Sequence, residues 1–166
     1  MKLKIEMIPR TAYGQNLRSL LSDREWRAIS LFVREGSGCV CEICSKQVEN
    51  IGMMDAHEVW KYQKIKGKNG KKQYVQKLKK IVAICKECHA VKHLGHSKHS
   101  GDYQHMVEHF VMVNNCSPFC FKQAESKSYI RFNKRSKHKW KMQIGVFKIR
   151  NAKYIIENGQ LVRFSF

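Results

Sequence analysis

Acidic residues are scarce in this chain. Thirteen Asp plus Glu stand against 32 Lys plus Arg, a formal charge of +19 over 166 residues. Such an excess repels itself in a compact fold and points to a polyanionic partner, nucleic acid before an anionic membrane surface. Long apolar runs are also lacking. No stretch approaches 18 consecutive apolar residues, which excludes a membrane-spanning helix. The opening "MKLKIEMIPR" lacks the 7–15-residue apolar core of a secretory signal, so an intracellular, cytoplasmic location is expected, with no membrane partner. Neither an internal repeat nor a domain linker breaks the chain. With 43% apolar residues it is not a disordered sequence, and its length suits one domain spanning 1–166.

Seven cysteines are present, and four stand in Cys-x-x-Cys pairs. In an intracellular chain these read as metal ligands rather than disulfides. The positive charge is uneven: residues 1–40 carry +3, residues 41–101 carry +8 and residues 102–166 carry +8. Residues 61–80 hold nine lysines and no acid.

Local patterns set an order of elements. Leu3, Ile5 and Met7 alternate with charged residues, predicting a short strand ended by Pro9. "SDRE" at 22–25 fits a capping box, and Trp26, Ile29, Phe32 and Val33 follow at helical spacing, so a helix is expected from 23 to about 35. "GMMDAHEVW" (52–60) predicts a strand, "KGKNGKK" an exposed loop, "IVAI" (81–84) a buried strand, and 86 to about 94 a helix. Gly101-Asp102 opens a helix striped by Tyr103, Met106, Val107, Phe110 and Val113. Ser117-Pro118 opens another. Trp140, Met142, Ile144 and Val146 alternate as a strand does. "ENGQ" (157–160) centres an Asn-Gly hairpin turn.

Cys41, Cys44, Cys85 and Cys88 supply four thiolates, the complement of a closed tetrahedral zinc site that stabilises the fold. Such a site has no vacancy for His89 or His93. Four residues apart on a helix, those two imidazoles share a face and can chelate a second metal if a third ligand joins them. The upstream candidate is His57 in "DAHE". Cys39, Cys116 and Cys120 read as small core residues or free thiols. Of His105 and His109, also four apart, one is expected to support packing.

"CEIC", "DAHEVWKY", "AICKECHAVKHLGH" and an opening like "MKLKIEMIP" resemble the HNH, or ββα-metal, endonuclease family, in particular bacterial and phage members with zinc knuckles and a His-Glu-Val-Trp motif. The resemblance covers residues 1 to about 145, and the last twenty residues look like an addition. It implies an α+β fold: a zinc-stapled hairpin-plus-helix core (39–100), an N-terminal strand–helix (1–38), and C-terminal helices with an antiparallel hairpin (101–166). It also implies metal-dependent hydrolysis of DNA phosphodiesters, with Zn²⁺ as structural ion and a second divalent ion, Mg²⁺, Zn²⁺ or another first-row metal, for catalysis. His89 and His93 match helix ligand positions of the family. Two registers remain for the upstream strand. In one, His57 is the general base and Asp55 lies near the metal. In the other, His57 is the third ligand, Glu58 occupies the base position and Asp55 is a supporting acid. The chain departs from the family where a middle Asn would fall near Lys80.

Phosphate contacts are expected from Lys66, Lys68, Lys71, Lys72, Arg131, Lys134 and Arg135, the last three within the basic stretch 131–141, whose alternative is a solvated basic strand. Trp60 and Tyr62 are expected to pack rather than to stack on bases. A second reading of the whole is a zinc-stabilised protein that binds DNA, RNA or a protein partner without turnover.

Overall fold

In the computed structural model, which describes residues 2–67, 70–97 and 102–165, the first long helix runs over Asp23–Glu35 (α1). Lys68 and Gly101 lie outside the described residues. Ser22 starts α1 as its pattern predicts: its Oγ accepts the Glu25 N–H at 3.3 Å, and its own N–H donates to Glu25 Oε2 at 2.7 Å. Trp26, Ile29 and Val33 are buried. Phe32 departs from the expected stripe at 40% exposure and meets Tyr154 edge-on.

Strands Met54–Lys66 (β1) and Lys72–Cys85 (β2) form one long antiparallel hairpin, in register from Met54↔Cys85 to Lys66↔Lys72. Residues 61–66 and 72–80 of the lysine-rich stretch are therefore strand arms. Val75 and Leu78 are buried while Lys79 and Lys80 face solvent, a division that aliphatic lysine stems tolerate on a half-covered strand. Residues 81–85 are buried throughout, because β2 has a strand on each edge and packs against helices.

The chain continues through Lys86–Lys92 (α2), Leu94–Ser97 (α3), Tyr103–Asn114 (α4) and Pro118–Arg135 (α5). Met106 and Phe110 of α4 are buried, as the apolar stripe predicts. α5 extends further than its opening signal indicates. It takes in Arg131, Lys134 and Arg135, so the first five residues of the basic stretch are helical, and Lys141 at its end opens a strand. Phe121, Ser128 and Arg135 are spaced by two turns and share a face; the first two are buried.

The N-terminal alternation is correct in burial but makes no strand. Leu3 and Ile5 are buried, yet the segment is held by side chains and, among the described residues, one backbone bond to α2. Asn114 Oδ1 accepts the Leu3 N–H and Asn114 Nδ2 donates to the Leu3 carbonyl, both at 3.1 Å, while the Glu6 N–H donates to the Lys92 carbonyl at 2.9 Å.

Lys141–Gln143 (β3) and Phe147–Ile149 (β4) pair parallel with β2. The alternation from Trp140 is interrupted at Gly145, whose φ of 135° suits glycine. Ala152–Glu157 (β5) and Gln160–Arg163 (β6) follow antiparallel, joined by Asn158 and Gly159 with φ of 48° and 77°, as the Asn-Gly signal predicts. The sheet order is β1-β2-β4-β5-β6, with β3 also on β2. The strands of residues 147–163 are thus part of the same mixed sheet, and Phe147 and Ile149 belong to the core. The architecture is α+β.

Candidate functional site

The first knuckle closes by its own backbone. The Ser45 N–H donates to the Cys41 carbonyl at 2.9 Å and the Cys41 N–H to the Lys46 carbonyl at 3.0 Å. Glu42 ties this turn to β2: its N–H donates to the Ala83 carbonyl at 3.0 Å, and its Oε1 accepts the Ala83 N–H at 2.8 Å. Two residues on, Cys85 caps α2 and Cys88 lies in its first turn. The four sulfurs of Cys41, Cys44, Cys85 and Cys88 lie within 4.8 Å of one another, and Cys44 Sγ is 3.7 Å from Cys85 Sγ. A tetrahedron with Zn–S bonds of about 2.3 Å has edges of about 3.8 Å, so the cluster fits a metal such as zinc. Thiols this close cannot all ionise by themselves. Hydrogen bonds from Cys85 and Cys88 draw the Cys41 thiol down, while the bond to Cys41 pushes Cys85 up to about 12 and raises Cys88 as well. A divalent cation removes that conflict.

His109 is the packing histidine. It is buried, and its Nε2 sits 3.2 Å from Cys88 Sγ, with Glu87 Oε2 4.0 Å from its Nδ1. Cys39, Cys116 and Cys120 join no metal-holding group among the described residues.

His57 faces α2 from β1. His89 lies within α2, and His93 caps its end with its N–H donating to the His89 carbonyl at 3.1 Å. One ring nitrogen from each of His57, His89 and His93 lies within 4.8 Å of the others. The ring centroids are separated by 5.4, 5.1 and 4.8 Å. Three imidazoles bound to one ion at about 2.0–2.1 Å place their centroids about 5 Å apart, so the three rings fit a shared metal. Two of the rings, His57 and His93, are biased toward the neutral form. Burial lowers the His57 pKa; burial, together with the neighbouring His57 and His89, lowers that of His93 to about 3.

Two carboxylates bracket the rings. Asp55 Oδ2 is 2.7 Å from His89 Nδ1, and its Oδ1 accepts from Lys86 Nζ at 2.5 Å. Burial opposes its charge, but His89 and Lys86 outweigh burial and hold the carboxyl at about 2. Glu6, a residue of the opening "MKLKIEMIP" with no site role expected from sequence, places Oε2 3.2 Å from His57 Nε2, and Lys92 Nζ donates to its Oε1 at 2.7 Å. Again burial is outweighed and the carboxyl is held at about 2. Glu58 lines the same cleft as the rings but is bonded to other groups. Its Oε1 accepts the Leu17 N–H at 3.1 Å and its Oε2 the Trp60 Nε1–H at 2.8 Å, yet burial raises its pKa.

These groups line a cleft of about 740 Å³ that also receives Arg18, Arg131 and Arg135. Arg135 lies 4.6 Å over the Tyr62 ring, so Tyr62 packs as expected. Among the described residues none of these three arginines is in a salt bridge. Lys134 is exposed and outside the cleft. Lys66, Lys71 and Lys72 are exposed at the hairpin tip, nine strand residues from His57, about 30 Å away. Sequence reasoning missed Glu6, Arg18 and Lys92. The only signal available was their chemistry, because long-range packing brings them together.

Compared with protein-family models, curated proteins and solved structures, the chain finds no match. Among the described residues no helix is long and apolar enough to cross a membrane.

Proposed function

We propose that this protein is a metal-dependent endonuclease of the HNH type, acting on DNA phosphodiesters. The observation that carries the reading is the convergence of His57, His89 and His93 within 4.8 Å, beside a four-cysteine cluster and in an arginine-lined cleft. Cys41, Cys44, Cys85 and Cys88 hold a structural Zn²⁺, and the three imidazoles hold a second divalent ion. Both Asp55 oxygens are engaged by Lys86 and His89, which leaves a nitrogen-rich donor set and favours a first-row metal over Mg²⁺. Such an ion supplies Lewis-acid stabilisation of charge on a scissile phosphate.

The protein's own groups supply the rest. Arg18, Arg131 and Arg135 bind flanking phosphates by charge-assisted hydrogen bonds. Tip lysines 66, 71 and 72 reach backbone further along the duplex, and Lys134 contacts it from outside the cleft. The pairing of Asp55 with His89 supports the register in which His57 is a ligand, Asp55 a supporting acid and Glu58 the base. A carboxylate with a raised pKa is better matched to accepting a proton from water near neutral pH.

Plasmid nicking with a panel of divalent ions tests the proposal. Nicking is expected with a first-row ion, and His89→Ala should abolish it while leaving one tightly held zinc and the fold intact. The absence of an Asn near Lys80 favours the second reading, nucleic-acid binding without turnover. Wild-type protein that never nicks, yet binds DNA with a log–log salt slope of about −5 for about six phosphates, would decide for it.

A further inference from the structure

Each of two imidazoles in the histidine centre is reached by the same three-part chain. Lys86, Asp55 and His89 form one, with the carboxylate giving one oxygen to the lysine and the other to His89 Nδ1. Lys92, Glu6 and His57 form the second, with Oε1 on the lysine and Oε2 3.2 Å from His57 Nε2. Both lysines come from α2, one from each end. Asp55 is near His89 because the hairpin runs directly into α2. Glu6 has no such local reason to be there, lying 51 residues from His57. It is delivered by the N-terminal segment, which Leu3 and Ile5 bury and Asn114 and the Lys92 carbonyl hold. Lys92 is only 5% exposed, and a buried ammonium without an anionic partner is costly. Glu6 is its partner, and that ion pair fixes where the second oxygen points.

We propose that Glu6 is a positioning residue of the histidine centre: it accepts the His57 Nε2–H, locks that tautomer and leaves Nδ1 as the nitrogen that faces a metal. This rests on the reading of His57, His89 and His93 as a metal centre. Metal-binding histidines commonly donate their other ring N–H to a carboxylate, and losing such a partner lowers metal affinity 10–100-fold. The N-terminal segment is thereby a working part of the centre, although it stands outside the hairpin and helix that carry the ligands.

The test uses full-length protein carrying one zinc, with wild type, Glu6→Ala and Glu6→Gln compared. Ring ¹⁵N shifts of His57 without added ions should show the Nε2–H tautomer in wild type and a tautomer mixture in Glu6→Ala. Co²⁺ titration, read by its visible absorption, should show 10–100-fold weaker binding at the second site in Glu6→Ala. Glu6→Gln should recover part of that loss, since its amide oxygen still accepts from Nε2–H. Retention of the single zinc reports an intact fold. An Nδ1–H tautomer in wild type, or Glu6→Ala affinity within twofold of wild type, overturns the role of Glu6 alone. Wild type that takes up no Co²⁺ beyond the thiolate site overturns the metal-centre reading and the positioning role with it.

Discussion

Three carboxylates near the histidine centre differ in what their oxygens touch, and this separates their tasks. Asp55 and Glu6 are each spent on a lysine and an imidazole, and both are held at about 2, so neither accepts a proton at neutral pH. Among the described residues Glu58 is bonded to the Leu17 N–H and the Trp60 indole rather than to a cation, and burial raises its pKa. Glu58→Gln therefore separates the two registers. If Glu58 is the base, the variant should lose about 10²–10⁴-fold in nicking rate while Co²⁺ binding at the histidines is unchanged. Near-normal turnover would move the role to His57.

Among the elements, α2 depends heavily on its neighbours. It spans Lys86–Lys92, seven residues, well below the length at which a helix holds in water by itself. It is fixed by Cys85 and Cys88 at its start and by packing on α4 and the hairpin. The first knuckle reaches it through Glu42 and Ala83. Removing one sulfur should therefore release the whole unit. Zinc of this kind contributes roughly 10–16 kcal/mol in small zinc peptides, comparable with the stability of a domain. Cys85→Ser is expected to unfold the hairpin–helix unit, seen as loss of zinc by metal analysis and loss of β2 and α2 amide protection in hydrogen exchange. A folded, zinc-free Cys85→Ser protein would refute the structural role of the cluster.

For the whole molecule, the +19 charge and the buried histidines act in the same direction on acidification. The folded-state pKa of His93 is depressed to about 3, by burial first and then by His57 and His89, with Glu6 opposing and Lys92 assisting. The unfolded chain, titrating near 6.5, binds the proton first, so stability falls as pH drops below about 6.5 toward 3. Between pH 7 and pH 5 the loss from this group should be about 1–2 kcal/mol, measured by denaturant unfolding without added divalent ions. His93→Gln should flatten that dependence, and an equal slope in both proteins would contradict it. What the sequence by itself determined is what local chemistry controls: the Ser22 cap, the Asn158-Gly159 turn, the alternation of Leu3 and Ile5, and the spacing of cysteines and histidines that share a short turn or helix. Nothing local marks the lysine-rich arms beside "KGKNGKK" as strand, because their charge hides the partial burial of these residues. The parallel pairing of β3 and β4 on β2, the placement of Arg131 and Arg135 at the cleft, and the arrival of Glu6 at His57 were decided only in tertiary structure. Each joins residues far apart in the chain, and the energy that selects them comes from packing and buried charge rather than from any neighbour in sequence.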